Sequence, residues 1–139
     1  MNTYKHKVAY YETDKMAVTH HSNYVRWMEE ARVDFLDQIG WNFHKLEETG
    51  IISPVIGITC NYKRSTVFDD IVEIAVSVKS FSGVKLVIEY VMKKEGDDAV
   101  VFTGTSEHCF LNTEGRPIRL QSEYPGFYEA LTACIAKND

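Results

Sequence analysis

Between Asn23 and Ile39 the apolar residues Tyr24, Trp27, Met28, Ala31, Phe35 and Ile39 return at three- and four-residue steps. Arg26, Glu29, Glu30 and Asp37 fall mostly on the other side. This period predicts a helix over 23–39, with its N-cap oxygen from Ser22 or Asn23 and its stop at Gly40. No Glu or Gln stands three residues after either candidate cap, so no capping box is expected. From Val55 the period changes to two. Ile56, Ile58, Cys60 and Tyr62 share one face, as do Val72, Ile74, Val76 and Val78, and then Leu86, Ile88, Tyr90 and Met92. A long strand follows with Val100, Phe102, Gly104, Ser106, His108 and Phe110 on one side. Turn-like segments, "FDD", "SFSG", "EGDD" and "NTEGRP", separate these runs. A short strand over 4–11, a short helical piece over 41–48 and a last helix over about 123–136 complete the pattern.

The order is therefore strand, helix, then a meander of four or more antiparallel strands. A helix bearing Trp27 and Phe35 must bury that face, and the concave side of the sheet is the surface available. The expected class is α+β, one layer of curved antiparallel sheet around one long central helix, with residues 1–139 as a single domain. Such a sheet leaves edge strands unpaired, and pairing two edges across a homodimer is one way to cover them.

Hydrophobic residues make up 45% of the 139, enough for one core. The formal net charge of −5 argues against broad nucleic-acid binding, which needs basic surface, yet leaves room for a small basic pocket holding one phosphorylated ligand. Cys60, Cys109 and Cys134 are widely spaced and form no C-x-x-C pair, so reduced thiols in a cytoplasmic protein are expected. The first residues lack a signal-peptide core, and no apolar run approaches the ~20 residues of a membrane span.

The stretch "YETDKMAVTHHSNY", Tyr11 to Tyr24, gathers an aspartate, two histidines and an asparagine ahead of the helix. Read blandly, it is a loop plus an N-cap. Read chemically, Asp14 is a carboxylate in a loop that folds back against a helix start, whose first N–H groups lack internal partners and sit at the positive end of the macrodipole. That combination suits acyl transfer: a nucleophile or base beside a donor for the developing oxyanion. Asn23 either orients Asp14 or caps the helix. Adjacent histidines in an extended turn point opposite ways, so His20 and His21 are not expected to hold a metal with Asp14. Ser106 and His108 share a strand face without the strained elbow of a serine nucleophile and are not read as a triad. Lys63 and Arg64, taken alone, read as a solvated rim.

"ETDKMAVTHHSNYVRWMEEAR" (12–32), followed by "YKRSTVFDD" (62–70), resembles the hotdog-fold acyl-CoA thioesterases, in particular the 4-hydroxybenzoyl-CoA thioesterase-like branch. The resemblance implies acyl-CoA hydrolysis with no cofactor and no metal. Asp14 matches the catalytic carboxylate, and His21 the position whose backbone N–H holds the thioester carbonyl. Asn23 and Tyr24 match the pair that seats the helix start. Lys63 and Arg64 match a basic pair near the phosphates of CoA, and Ser82 and Gly83 a turn near its pantetheine or nucleotide. The implied active site lies at a subunit interface of a homodimer or homotetramer. One departure is Ala17, where the family usually has Gly; a positive φ there would strain the turn. Three rivals stay open: a non-hydrolytic acyl-thioester binding module, an acyl-carrier-protein thioesterase, which the negative charge disfavours, and a hotdog dehydratase, which would need a histidine inside 23–39.

Overall fold

The structure, a computed structural model, describes residues 2–138, with side chains through 135. Strand β1 (Tyr4–Lys7) leads through a single 3-10 turn, Tyr10–Glu12, into helix α1 (Ser22–Gln38) and the short helix α2 (Phe43–Thr49). Strands β2 (Val55–Tyr62), β3 (Ile71–Phe81), β4 (Lys85–Lys94) and β5 (Val100–Cys109) follow. Helices α3 (Leu120–Glu123) and α4 (Pro125–Asn138) close the chain. Among the described residues no helix is long and apolar enough to cross a membrane.

The five strands form one antiparallel sheet in the order β1-β3-β4-β5-β2. This corrects the expected meander: β2 and β3 are consecutive in sequence but not neighbours. Residues 63–70 carry the chain along one end of the sheet, past the ends of β5 and β4. With strands about 4.8 Å apart, three spacings are roughly 14 Å, an easy reach for that link. Both β1 and β2 are edges. The link also ends β1 early, because Val8 donates to the Asp70 carbonyl and Asp69 to the Val8 carbonyl, which takes the chain out of the ladder.

Helix α1 lies on the sheet. Tyr24, Trp27, Met28, Ala31 and Phe35 share one core with Val72, Ile74, Val78, Leu86, Ile88, Tyr90, Met92 and Phe102. Gly104 marks their closest approach. A Cβ there would stand 3.0 Å from the Met28 sulfur and 2.7 Å from the Thr59 carbonyl, so only glycine lets the helix settle this deeply. The period-two faces of β3, β4 and β5 turn inward as expected. That of β2 points the same way, with Ile58, Cys60 and Tyr62 paired to Ser106, Gly104 and Phe102, but at the outer edge it is only partly covered. Ile56 and Ile58 are exposed at 52% and 42%, and Tyr62, whose ring meets those of Tyr24 and Phe102, at 50%.

The start of α1 differs from the expected cap. His21 is the N-cap residue and makes no side-chain cap hydrogen bond. Instead the His20 ring accepts the Ser22 N–H at 3.2 Å.

Candidate active site

Asp14 opens a tight hairpin. Thr13 bridges to Thr19, Asp14 N–H donates to the Val18 carbonyl at 2.9 Å, and Ala17 N–H donates to the Asp14 carbonyl at 2.9 Å. Asp14 Oδ1 accepts the Met16 N–H at 2.8 Å, an aspartate-capped turn. To close it, Ala17 takes φ +64°, the left-handed position where hairpins of this length favour glycine. The turn pins one carboxylate oxygen, and among the described residues the other has no partner. Asp14 is exposed and lines an open groove of about 960 Å³ with Tyr10, Tyr11, Thr13, Lys15 and Ala17.

The hairpin returns the chain to Val18, three residues before His21. Three residues span at most about 11 Å. Among the described residues, the N–H of Ser22 is taken by the His20 ring, that of Asn23 by the His20 carbonyl and that of Tyr24 by the His21 carbonyl, while the N–H of His21 has no partner. The helix therefore presents one open backbone donor beside the aspartate loop. The rings of His20 and His21 do not point opposite ways; their centroids lie 4.3 Å apart with a 30° tilt, because His21 is already helical at φ −56° and ψ −28°. Among the described residues no group of three or more His, Cys, Asp or Glu converges to hold a metal.

Two buried nodes hold this loop, and neither was read from the sequence. Glu12, 4% exposed, accepts His6 Nε2 at 2.7 Å and Ala9 N–H at 2.8 Å on one oxygen and Trp27 Nε1 at 2.7 Å on the other. Burial pushes its carboxyl up, but the Ala9 N–H, His6 and Trp27 outweigh it and hold the group below its ordinary value. Thr66, fully buried in the 63–70 link, meets Thr19 Oγ1 at 2.6 Å and Tyr24 Oη at 3.0 Å, and its carbonyl accepts the Thr19 N–H at 2.8 Å. Tyr24 is thus a core residue, stacked on Phe102 at 5.1 Å. Asn23 is buried too, and its amide neither reaches Asp14 nor caps the helix. It donates to the carbonyls of Glu12 at 3.0 Å and His20 at 3.3 Å.

The remaining expected residues divide between two ends of the sheet. Lys63 and Arg64 follow β2 at the Asp14 end, both exposed, their N–H groups donating to the Val101 carbonyl. Among the described residues neither pairs with an acid. Ser82 and Gly83 form the β3–β4 turn at the opposite end, some ten residues along β3, or roughly 30 Å. There they line a cavity of about 240 Å³ with Val84, Arg119, Gln121 and Ser122. Gly83 takes φ +89° and lies against Tyr128. In the core Ser106 joins Tyr90 Oη and His108 Nε2, each at 2.7 Å, while among the described residues His108 Nδ1 has no hydrogen-bond partner of good geometry. This row is buried and contributes nothing to the groove's lining.

The sequence profile of the thioesterase-like superfamily matches residues 8–132. A DHNA-CoA thioesterase from Staphylococcus aureus superposes with a TM-score of 0.91 at 33% identity, covering 99% of this chain and 92% of that one. The gentisyl-coenzyme A thioesterase BH1999 gives 0.79 at 26% identity, covering 86% and 96%. The Bacillus subtilis protein YneP, provisionally named an acyl-CoA thioesterase, is 26% identical over 124 residues, 89% of this chain and 90% of its own. A helix seated on a five-stranded antiparallel sheet, a profile match over most of its length and these thioesterase relatives together mean that the chain belongs to the thioesterase-like superfamily and is a thioester hydrolase of hotdog fold.

Proposed function

We propose that the chain hydrolyses an acyl-CoA thioester to the free acid and CoA, with Asp14 as nucleophile or general base and the His21 N–H polarising the carbonyl. The observation that carries this reading is the hairpin itself. Among the described residues it leaves one Asp14 oxygen without a partner at the edge of an open groove, a few residues from an open donor of the helix start. As nucleophile, that oxygen bonds to the acyl carbon, the thiolate leaves and takes a proton as CoA, and water then cleaves the mixed anhydride. As base, it takes a proton from water while the water oxygen bonds to the acyl carbon; the C–S bond then breaks and the thiolate leaves with that proton as CoA. In both routes negative charge grows on the carbonyl oxygen, where an aligned N–H and the helix dipole stabilise it.

Relatives named for CoA esters support CoA as the carrier over an acyl-carrier protein. The ammonium and guanidinium of Lys63 and Arg64, at the Asp14 end and without an acidic partner among the described residues, support a role at its phosphates. The bare edge of β2, with Val55, Ile56, Ile58 and Tyr62 exposed, supports a homodimer through that strand. An antiparallel pairing of two such edges sets the partner's Ser82–Gly83 turn at the same end as this chain's Asp14, so both expected sets of contacts fit one site between subunits.

The test is CoA release from a panel of short, long and aromatic acyl-CoAs, with Asp14→Asn as control. Release by the wild type that is lost in the variant supports the reading. Tight binding without release would identify a binding module instead.

A further inference from the structure

We propose that Asn23 is a positioning residue for the carbonyl-polarising peptide, an inference that rests on the His21 N–H being the oxyanion donor. That N–H belongs to the peptide joining His20 to His21, and the oxygen of the same peptide is held twice. The Asn23 backbone N–H donates to it at 3.0 Å and the Asn23 side-chain amide at 3.3 Å. A trans peptide sets its N–H and C=O in opposite directions. Drawing the oxygen into the first turn of α1 therefore aims the His21 N–H out of the helix end, away from the core. Two bonds to the oxygen also pull electron density from the nitrogen and make its hydrogen a stronger donor, the cooperative effect of linked hydrogen bonds.

The second hydrogen of the same amide is spent on the Glu12 carbonyl at 3.0 Å. That carbonyl also accepts the His20 N–H at 2.8 Å. Asn23 thus fixes the donor peptide relative to the residue that opens the aspartate loop, and Glu12 is itself immobilised through its carboxylate. Asn23 is 6% exposed and lines none of the groove beside Asp14, so its influence on substrate passes through the peptide and not through contact.

The experiment uses the full chain in an Asp14→Asn background, which is expected to hold substrate without turning it over. The acyl-CoA hydrolysed fastest in the panel is labelled with ¹³C at its thioester carbonyl, and the infrared stretch of the bound ester is read. The single Asp14→Asn protein is expected to shift that stretch to lower wavenumber. Adding Asn23→Asp, which keeps the shape and removes the donor, or Asn23→Ala, should abolish most of the shift. Asn23→Ser should retain it, because a serine here can bond the carbonyl three residues back while losing Glu12. With Asp14 intact, kcat should fall roughly tenfold in the Asp or Ala variant, short of the about 10²–10³ that deleting an oxyanion donor costs, with little change in KM. Either variant that retains the wild-type circular dichroism serves. A full shift in a folded Asn23→Asp or Asn23→Ala protein overturns the proposal and leaves the His21 reading standing. No shift even with Asn23 intact overturns the His21 reading, and the proposal with it.

Discussion

The indole N–H of Trp27 donates to the Glu12 carboxylate at 2.7 Å, beneath the loop that carries Asp14. Removing that carboxylate strands three donors at once: the indole, the His6 ring and the Ala9 N–H. Glu12→Ala is expected to destabilise the protein by about 3 kcal/mol or more, since each buried donor left unsatisfied costs about 1–3 kcal/mol. Urea unfolding measures it. A loss under about 1 kcal/mol would mean the node is not what seats the loop.

Acid should unfold the protein in two windows. Burial, helped by the nearby Arg32 charge, lowers His108 from 6.5 to about 4, against a smaller opposing effect of the Pro54 backbone. The unfolded chain therefore takes up that proton first, and stability declines as pH falls from about 6.5 to about 4, then stops declining on this account. Glu12 works lower. Its folded pKa lies below the ordinary 4.5, so its stabilisation is complete above that value and is lost as pH falls through the folded one. Thermal unfolding against pH should show both slopes; His108→Gln should flatten the first and Glu12→Gln the second.

The central helix was legible because its apolar period is long and unbroken, and β3 to β5 because their alternating faces are buried within the chain. The candidate site was legible only in part. Asp14 and His21 stand in a recognisable stretch, but Glu12 sits in a polar run that reads as solvated. Its burial depends on donors from β1, the 3-10 turn and α1 meeting at one point. Thr66 is an unremarkable residue in an aperiodic link, and only the crossing from β2 to β3 carries it beneath Tyr24. The shared face of β2 was legible too, but alternation marks a face to be covered without saying which chain covers it.

Ala17 holds φ +64° without being glycine. A left-handed conformation costs an L-residue roughly 1–2 kcal/mol. Ala17→Gly should relieve part of this and raise the melting temperature by a few degrees, with turnover retained. A lower melting temperature would show that the turn is not strained.

A charge on the bare edge should prevent the proposed homodimer from forming. Ile58→Lys places an ammonium on β2, where Ile58 is 42% exposed. Sedimentation should then give a monomer, and CoA release should fall with it. An unchanged oligomer would move the interface elsewhere.

The central claim rests on one side chain. CoA release by Asp14→Ala, measured beside the wild type on the acyl-CoA it hydrolyses fastest and with melting temperatures matched, tests it most directly. Turnover should fall by about 10²-fold or more, as for loss of a nucleophile or general base. Wild-type turnover in the folded variant would contradict it.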